Sequence, residues 1–465
     1  MQTVPDDLRQ RLHTHGQDHV LAGWNQLDAA ERANLVHQLQ AIDLDLLHRL
    51  FQERDQPVAA IAPERIESIP VTPSPSPEDA TARAQGETAL RRGEVAALVV
   101  AGGQGSRLGF EHPKGMYPVG PVSRKSLFQV HAEKVLALRR RFGAALPLLV
   151  MTSPATHAET VDFFQQHRFF GLPADGVAFF QQGTMPALDL ATGRLLLEAP
   201  GRLFLSPDGH GGTLTALASS GLLDQLRQAG VRHLFYFQVD NPLVKVADPV
   251  FLGHHIVRRA EVSSKVIAKL APLEKLGNFV QVESRCTMIE YSDLPEDLAK
   301  KTTPEGKLLI GAGNPAIHIF DLAFLESVTR GAATIAFHIA RKKVPHVDPA
   351  GNPVQPAQEN ALKFERFIFD LLPRAKRWAL VETSRKEEFA PLKNADGPDS
   401  PQAVARALTD LAADWLAAAG VAVPRDAAGA PAFPLEINPL FALDAAELAR
   451  KVNPSTKIDG PRYFG

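Results

Sequence analysis

Four short stretches of the chain are almost continuously apolar, and each ends in small or polar residues. They read EVAALVVAGG, PLLVMTS, GVAFFQQG and HLFYFQVDN, and helical patterns lie between them. Strands that are covered by helices on both faces show this texture, because neither face of such a strand meets water. The alternation predicts an α/β protein with a largely parallel sheet and a ligand site at the carboxyl ends of its strands. The stretches SSKVIAKL and RCTMIEYSDL are candidate strands of a sheet extension.

The flanking regions have different patterns. Residues 1–60 are predicted to form a helical region, because leucines and one isoleucine recur at three- and four-residue steps; they are Leu35, Leu39, Ile42, Leu46 and Leu50. Asp28 followed by Glu31 resembles a helix start. Residues 61–89 are rich in Pro, Ser and Glu and are predicted to form an extended connector. We expect a catalytic domain over residues 90–373 and a smaller C-terminal domain over residues 374–465.

Composition narrows the classes of partner. Lys and Arg number 50 and Asp and Glu number 52, so the formal charge is −2, which supplies no broad basic field for nucleic acid or anionic lipid. The single cysteine, Cys286, excludes an intramolecular disulfide and a CxxC site. Apolar runs such as Val95–Ala101 fall far short of the ~20 residues of a membrane span, and the N-terminus does not read as a secretory signal. These features predict a soluble cytoplasmic protein.

A glycine-rich loop, VVAGGQGSRLGFEHPKGMYPVG, follows the first apolar run directly. Gly102, Gly103 and Gly105 allow backbone N–H groups to approach an anion closely, and Arg107 and Lys114 add two cations. The loop lacks the Walker pattern and misses the GxGxxG fingerprint by one residue. It therefore favours a nucleoside triphosphate over a dinucleotide, while a plain tight turn between strand and helix is the alternative.

The loop and several later segments, taken together, resemble the eukaryotic-type UDP-sugar pyrophosphorylases, most closely the UDP-N-acetylhexosamine pyrophosphorylase branch. The family signature GGQGTRLG…PKGM is matched with Ser106 in place of Thr. The further matches follow in the family's order, and they are FFQQGTMPALD, PDGHGG, VDNPLVKVADPVF, PLEKLGNF, IEYSDL, GNPAIHIF, LKFERFIFD and FAPLKNADG. The similarity covers roughly residues 90–410.

The resemblance implies a reaction and a fold. UTP and a hexose or N-acetylhexosamine 1-phosphate would give a UDP-sugar and pyrophosphate, with Mg²⁺ as cofactor and with no obligate protein partner. The implied fold is a Rossmann-like nucleotidyltransferase of the GT-A-like kind, with a central mixed sheet flanked by helices, a helical N-terminal region and a small C-terminal domain. Because two polyanions must meet, the chemistry needs charge neutralisation and alignment more than a nucleophile or a general base.

The resemblance also implies roles for individual residues. Arg107, Lys114 and Lys393 would stabilise the phosphates in the reaction, and Asp240, at the end of a predicted strand, would hold Mg²⁺ and the nucleotide, its alternative role being to cap a turn. The other implied nucleotide-binding residues are Ala101, Gly102, Gly103, Gln182, Gly209 and Lys363, the last expected on a helix. The implied sugar-binding residues are His210, Gly277, Glu290 and Asn314. Asp208 is expected to order the PDGHGG turn.

Two motif positions depart from the N-acetylhexosamine branch. His210 stands where the branch has Asn, and in GNPAIHIF the residues Pro315 and Ile317 replace Ile and Asn. Loss of two amides removes hydrogen bonds that could read the sugar, and a Gly-His-Gly arrangement resembles the UDP-glucose branch. N-Acetylglucosamine 1-phosphate is the first expectation, and a glucose, galactose or broad specificity is the alternative. A catalytically silent UDP-sugar sensor and a dinucleotide oxidoreductase are the competing classes. The adjacent His254 and His255 are expected on a helix surface.

Overall fold

The computed structural model describes residues 3–56, 61–330 and 335–465. Its helices are α1 Asp6–Thr14, α2 Ala29–Gln40, α3 Leu44–Glu53, α4 Asp79–Arg91, α5 Leu127–Phe142, α6 His157–Gln166, α7 Thr213–Ser219, α8 Leu222–Gln228, α9 Pro249–Val257, α10 Glu296–Ala299, α11 Leu322–Arg330, α12 Arg385–Glu388, α13 Pro401–Ala418 and α14 Ala445–Lys451.

The strands are short and are spread over the whole chain. They are β1 Ile66–Glu67, β2 Val95–Val100, β3 Leu148–Thr152, β4 Val177–Gln181, β5 Thr184–Pro186, β6 Leu188–Asp189, β7 Leu197–Ala199, β8 Arg202–Leu203, β9 Leu205–Pro207, β10 His233–Gln238, β11 Val262–Ala268, β12 Asn278–Val282, β13 Arg285–Ile289, β14 Ala312–Gly313, β15 His318–Asp321, β16 His338–Lys342, β17 His346–Val347, β18 Pro353–Val354, β19 Ala361–Glu365, β20 Trp378–Glu382, β21 Leu435–Ile437 and β22 Arg462–Phe464.

The chain divides into two compact units, and each unit is built from segments that are far apart in the sequence. The first unit comprises Met1–Ala60, Gln182–Thr215 and Ile335–Asp370. The second comprises Ile61–Gln181, Ala216–Thr334 and Leu371–Gly465. The domain boundaries predicted from the sequence stay a prediction.

The second unit contains an eleven-stranded mixed sheet with the order β1-β12-β14-β11-β15-β10-β2-β3-β4, while β13 pairs with β12 and β20 with β11. Strands β10, β2, β3 and β4 are parallel neighbours, whereas β15 runs antiparallel to both β10 and β11. All four apolar runs that the sequence singled out are these parallel strands, and the two candidate extension strands are β11 and β13. The predicted mixed α/β sheet flanked by helices is confirmed.

Helix α5 is the main helix that follows the glycine-rich loop. It begins where the Ser126 hydroxyl accepts the Gln129 N–H and ends at Gly143, whose φ of 65° is left-handed. Phe128 and Val135 are buried in a core that they share with the apolar residues of β2, β3 and β10. This packing holds the carboxyl end of β2 in place, and the loop begins at that end.

The predicted extended connector over residues 61–89 is wrong in its second half. Residues Asp79–Arg91 form helix α4, whose composition is polar and alanine-rich and offered no clear apolar stripe. Its packing is provided by α9: a Cβ on Gly86 would lie 2.0 Å from the Pro249 carbonyl oxygen, and one on Gly253 would lie 1.6 Å from the Ala82 carbonyl oxygen. Two helices that touch backbone to backbone need small residues rather than large apolar ones, and the hydrophobic pattern therefore missed this helix.

The N-terminal helices of the first unit pack on its small sheets. Asp28 and Glu31 form a full capping box at the start of α2, as the sequence predicted. The single helical face predicted across Leu35–Leu50 is wrong, because Ile42 lies between α2 and α3. The buried residues of α3 are Leu44, Leu47 and Leu50, whereas Leu46 is only partly buried. The unit's sheets have the orders β16-β19-β6, β18-β17-β7-β8 and β5-β9.

The end of the chain has an apolar cluster of its own within the second unit. Helices α13 and α14 and the parallel pair β21–β22 share it, with Leu416, Leu435 and Leu448 almost fully buried. Among the described residues, no helix has both the length and the hydropathy that crossing a membrane requires.

Candidate active site

The glycine-rich loop folds back on itself after β2. The Lys114 N–H donates to the Gly103 carbonyl over 3.0 Å, and the Gly105 N–H donates to the His112 carbonyl over 2.9 Å. A Cβ on Gly105 would lie 2.7 Å from the Phe110 ring, so this closure requires glycine. Gly103, in contrast, is exposed, and a Cβ there would have no protein atom within 4 Å. The backbone at Gly103 is thus open to a ligand.

Lys114 and Asp240 meet at the carboxyl edge of the sheet. Lys114 Nζ lies 3.6 Å from Asp240 Oδ2, and the two side chains are 19% and 11% exposed. Lys114 begins a short 3₁₀ turn in which Gly115 lies against Phe128; a Cβ at Gly115 would come within 2.2 Å of that ring. The Val239 N–H donates to the Val100 carbonyl over 3.0 Å, so the segments that leave β10 and β2 are held side by side.

The segment that carries Asp240 is fixed from the far side by residues 388–392. The Leu392 N–H donates to the Asp240 carbonyl over 2.8 Å, and the Asn241 side-chain amide donates to the Glu388 carbonyl over 2.6 Å. Lys393 follows directly, and its ammonium lies 6.0 Å from the centre of the Phe389 ring. The structure therefore brings the backbone of Lys393 next to that of Asp240. This position is compatible with the predicted role of Lys393 in stabilising the phosphates, and that role stays a prediction.

Arg107 lies on the 3₁₀ turn Ser106–Leu108 and is exposed. Within the described part of the chain it takes part in none of the ion pairs. Its guanidinium is consequently available to an anion that approaches the loop.

A buried ion network beneath Asp240 was not anticipated from the sequence. Lys265 on β11 is 2% exposed and pairs with Asp248 at 2.8 Å and with Glu388. Burial alone would raise the pKa of Asp248, but Lys265 outweighs it and the pKa lies below its ordinary value. The available signal was Lys265 in the run SSKVIAKL, in which every residue except Lys265 and Lys269 is apolar or small, because a lysine inside such a strand implies a buried partner. Through Glu388 the network supports the Asn241 side of the Asp240 segment.

Three predicted sugar-binding residues come together on the sheet extension. The Asn314 N–H donates to the Gly277 carbonyl over 2.9 Å, and the pairing of Asn278 with Ile289 sets Gly277 and Glu290 at neighbouring positions. The Asn314 side-chain oxygen accepts the Ala316 N–H over 2.8 Å and so shapes its own turn. Ile317, which replaces an Asn of the N-acetylhexosamine branch, is 1% exposed and packs in the apolar core.

The first unit holds the remaining predicted residues. Gln182 is buried whereas Gln181 is exposed, in accord with their predicted opposite orientation. The Asp208 N–H donates to the Gly183 carbonyl over 3.0 Å, and this contact brings Gln182 close to Gly209. Gly209 has a φ of 83° and lies so near Arg366 that a Cβ would be 2.4 Å from its carbonyl oxygen.

The PDGHGG turn is ordered by a buried ion pair. The Asp208 side chain is 2% exposed and its Oδ2 accepts one hydrogen bond from the guanidinium of Arg366, while Oδ1 lies where a Cβ on Gly212 would be. The expectation that Asp208 orders this turn is confirmed, while Arg366 was missed. LKFERFIFD contains Arg366, but nothing local in the sequence pairs it with a residue 158 positions earlier.

His210 lies against two aromatic rings of the same unit. Its ring centre is 5.4 Å from that of Phe367 and 5.5 Å from that of Phe369. Its Nδ1 accepts the Ile368 N–H over 3.2 Å. Burial lowers the pKa of His210 to about 4, against the smaller opposing effect of Asp370. The ring is therefore neutral at pH 7 and carries its proton on Nε2.

Two sequence predictions about side-chain placement are wrong. Lys363 lies on strand β19, not on the predicted helix; it is partly exposed between the buried Leu362 and Phe364, as alternation along a strand requires. Its ammonium lies 4.9 Å from the centre of the Phe204 ring, and burial lowers its pKa. His254 and His255 are on helix α9 but fully buried, where they bond to Asp79 and Ser263.

In the part of the chain that the structure describes, no group of three or more His, Cys, Asp or Glu side chains is arranged to hold a metal ion. Asp240 therefore belongs to no such group, and its carboxylate lies beside the Lys114 ammonium. This donor set suits Mg²⁺, which takes few protein carboxylates and completes its shell with phosphate oxygens and water.

Comparison with known proteins identifies the family. Residues 44–400 match the family described as UTP–glucose-1-phosphate uridylyltransferase. UDP-N-acetylglucosamine diphosphorylase 2 of Arabidopsis thaliana is 37% identical over 454 residues, which cover 92% of this chain and 89% of the relative. UDP-N-acetylglucosamine pyrophosphorylase of Saccharomyces cerevisiae is 37% identical over 347 residues, 73% of each chain. The crystal structure of the uridine diphosphate N-acetylglucosamine pyrophosphorylase of Trypanosoma brucei, in complex with an inhibitor, superposes with a TM-score of 0.82 at 29% identity, covering 97% of this chain and 95% of the other. This chain therefore belongs to the UTP–glucose-1-phosphate uridylyltransferase family.

Proposed function

We propose that this enzyme transfers a uridylyl group from UTP to a sugar 1-phosphate and releases pyrophosphate. The observation that carries the proposal is the Lys114–Asp240 pair, 3.6 Å apart, at the carboxyl ends of two adjacent parallel strands. A cation and a carboxylate at that edge, beside an open glycine backbone, form a site for a nucleoside triphosphate.

The protein's part in the reaction is to gather charge and to align the reactants. A phosphate oxygen of the sugar phosphate attacks the α-phosphorus of UTP in line with the departing pyrophosphate, and no enzyme nucleophile is needed. Lys114 and Arg107 neutralise the triphosphate and the pyrophosphate that leaves it. Lys393 directly follows Leu392, whose N–H is hydrogen-bonded to the Asp240 carbonyl, and it adds a third cation for the incoming phosphate.

Asp240 is the residue that would hold Mg²⁺. When bound, the ion would offset negative charge on the phosphate oxygens. Asp240 is suited to it because Lys114 and the Leu392 N–H fix its segment, and because its carboxylate lies at the carboxyl edge of the sheet beside the glycine-rich loop. Magnesium as the specific ion is part of the proposal.

For the sugar, we propose N-acetylglucosamine 1-phosphate, with glucose 1-phosphate as the second candidate. The relatives of Arabidopsis and yeast are named for UDP-N-acetylglucosamine, whereas the family description names glucose 1-phosphate. The burial of Ile317 supports the first candidate. This side chain packs in the core and does not face a ligand, so the replacement of Asn by Ile at position 317 does not by itself remove a contact with the sugar. His210 supports the second candidate, because its ring replaces an amide. The remaining site roles, including those of Gln182, Gly209 and Lys363, stay predictions, as does a cytoplasmic location.

The test is pyrophosphate release from UTP and each sugar 1-phosphate. Asp240→Asn and Lys114→Met should each lower kcat/KM by about 10²–10³-fold, and EDTA should stop the wild-type enzyme. The matched controls Asp224→Asn and Lys300→Met alter exposed residues and should leave the rate unchanged. Undiminished turnover by the Asp240 variant, or activity in EDTA, would contradict the proposal. Binding of a UDP-sugar without any pyrophosphate release would instead favour the silent sensor, and a nicotinamide absorbance change would favour the oxidoreductase.

A further inference from the structure

The second unit contains a cavity at the edge of the large sheet that is opposite to the glycine-rich loop. Its volume is about 350 Å³. It lies where β2 and β10 begin, whereas the glycine-rich loop and Asp240 lie where these strands end. The residues that give it chemical character are Arg92, Arg232, Arg259, Arg377, His233 and His255.

The rim of this cavity is strongly basic. Four guanidinium groups face only two carboxylates, those of Glu94 and Asp321. Arg232 lies 3.7 Å from Glu94, and the Asp321 side chain already accepts the Phe324 N–H at the start of α11.

The remaining arginines divide into one that is paired and two that are not. Arg377 is paired with Glu261 at 3.1 Å, outside the lining. Arg92 and Arg259 form no ion pair within the described ranges of the chain. Two cations on the rim therefore lack a partner, and their positive charge is not neutralised locally.

The floor of the cavity consists of two buried imidazoles with unsatisfied nitrogens. His255 is fully buried and His233 is 9% exposed, and their rings meet edge to face with centres 5.1 Å apart. Among the described residues, neither His233 Nδ1 nor His255 Nε2 has a hydrogen-bond partner. A buried polar atom without a partner costs free energy, so a native structure that keeps two at one cavity calls for an explanation.

The protonation of these rings favours donation. Burial lowers the pKa of both histidines, which leaves them neutral at pH 7. His255 Nδ1 lies 2.8 Å from the Ser263 hydroxyl. In the tautomer in which Nδ1 accepts that hydroxyl hydrogen, Nε2 carries a buried proton that has no acceptor among the described residues.

We propose that this cavity is a binding site for a small phosphate-bearing anion, either free phosphate or a phosphate monoester. Guanidinium forks on the rim match phosphate oxygens in pairs, so the two arginines that lack an ion-pair partner are the groups that would hold the anion. A metal cation is disfavoured because four guanidinium groups repel it. The volume is sufficient for a small sugar phosphate. The site is separate from that of UTP, since the six-residue strand β2 places about 20 Å between the two edges.

The experiment is calorimetric titration of the full chain with inorganic phosphate and, separately, with glucose 6-phosphate at constant ionic strength. In the double variant Arg92→Ala/Arg259→Ala, the Kd should rise by about tenfold or more for each arginine removed. Arg140→Ala, which removes an exposed arginine of α5 outside this cavity, is the matched control and should bind as the wild type does. Lys114→Met, in the proposed UTP site, should also keep the binding.

The outcomes separate the explanations. Tighter binding of the monoester identifies a sugar phosphate as the ligand class, and tighter binding of inorganic phosphate identifies the free ion. Binding that the double variant retains, that Arg140→Ala weakens equally, or that only Lys114→Met abolishes would overturn the proposal, and so would the absence of binding by both probes. Arg92 and Arg259 are exposed, so thermal unfolding should confirm that the double variant folds as the wild type does.

Discussion

Replacing Lys265 by Met tests whether the buried ion network stabilises the Asp240 segment. The ammonium lies 2.8 Å from Asp248 and also contacts Glu388, and it is 2% exposed. With an effective dielectric constant of about 20, the attraction to Asp248 alone is about 6 kcal/mol before desolvation is subtracted. Removal of the cation leaves the buried Glu388 carboxylate and the largely buried Asp248 carboxylate without this partner, and breaking such a pair typically costs about 3–5 kcal/mol of folding free energy.

Urea unfolding of the second unit, followed by tryptophan fluorescence, is the assay. Lys265→Met should shift the midpoint to markedly lower urea, whereas Lys300→Met, which breaks an exposed pair with Glu296, should leave it unchanged. Adding Glu388→Gln to Lys265→Met should recover part of the loss, because one uncompensated charge is then removed. Equal midpoints for Lys265→Met and Lys300→Met would refute the reasoning. The loss of kcat in Lys265→Met should exceed the change in KM, because the network acts through the Asp240 segment.

Two further predictions concern histidines. His131 is 1% exposed and donates from Nε2 to the Val239 carbonyl over 2.9 Å, and burial lowers its pKa from 6.5 to about 3. As the pH falls, the unfolded chain therefore binds the proton of His131 before the folded chain does. The contribution of His131 to the free energy of unfolding should fall by about 1.4 kcal/mol per pH unit between pH 6.5 and pH 3. His131→Gln should flatten that slope in pH-dependent urea titrations, and an unaltered slope would contradict the assignment. His210→Asn should shift the ratio of kcat/KM for N-acetylglucosamine 1-phosphate over glucose 1-phosphate upward by roughly fivefold, the value of one added hydrogen bond, and unchanged selectivity in the sugar-phosphate panel would show that position 210 does not select the sugar.

The sequence was sufficient to predict those elements whose structure depends on residues that are close together in the chain. The four apolar runs became parallel strands because burial on both faces leaves no polar position within them, and the Asp28–Glu31 capping box needs only residues three apart. The glycine-rich loop likewise carries its own closure, from Gly105 to Lys114. Such features depend on few distant contacts, so a pattern is enough to predict them.

Several of the failures share a physical cause, which is pairing between residues that are far apart in the sequence. Lys265 and Glu388 are 123 residues apart, and Asp208 and Arg366 are 158 apart, so neither pair has a local signature. Lys363 was assigned to a helix because an alternating stretch of five residues is too short to separate the two periods. The free nitrogens of His233 and His255 were invisible for the same reason, since only the folded sheet brings these rings together.

The backbone contact between α4 and α9 has a consequence for anyone who shortens this chain. A fragment that starts at β2 would contain all four parallel strands. It would nevertheless lack α4, so the glycine-containing face of α9 that α4 covers would be exposed to water. A larger residue at position 253 could not compensate for this exposure, because in the full chain its Cβ would collide with the backbone of α4. Helix α4, which precedes the parallel strands, is therefore a structural part of the second unit.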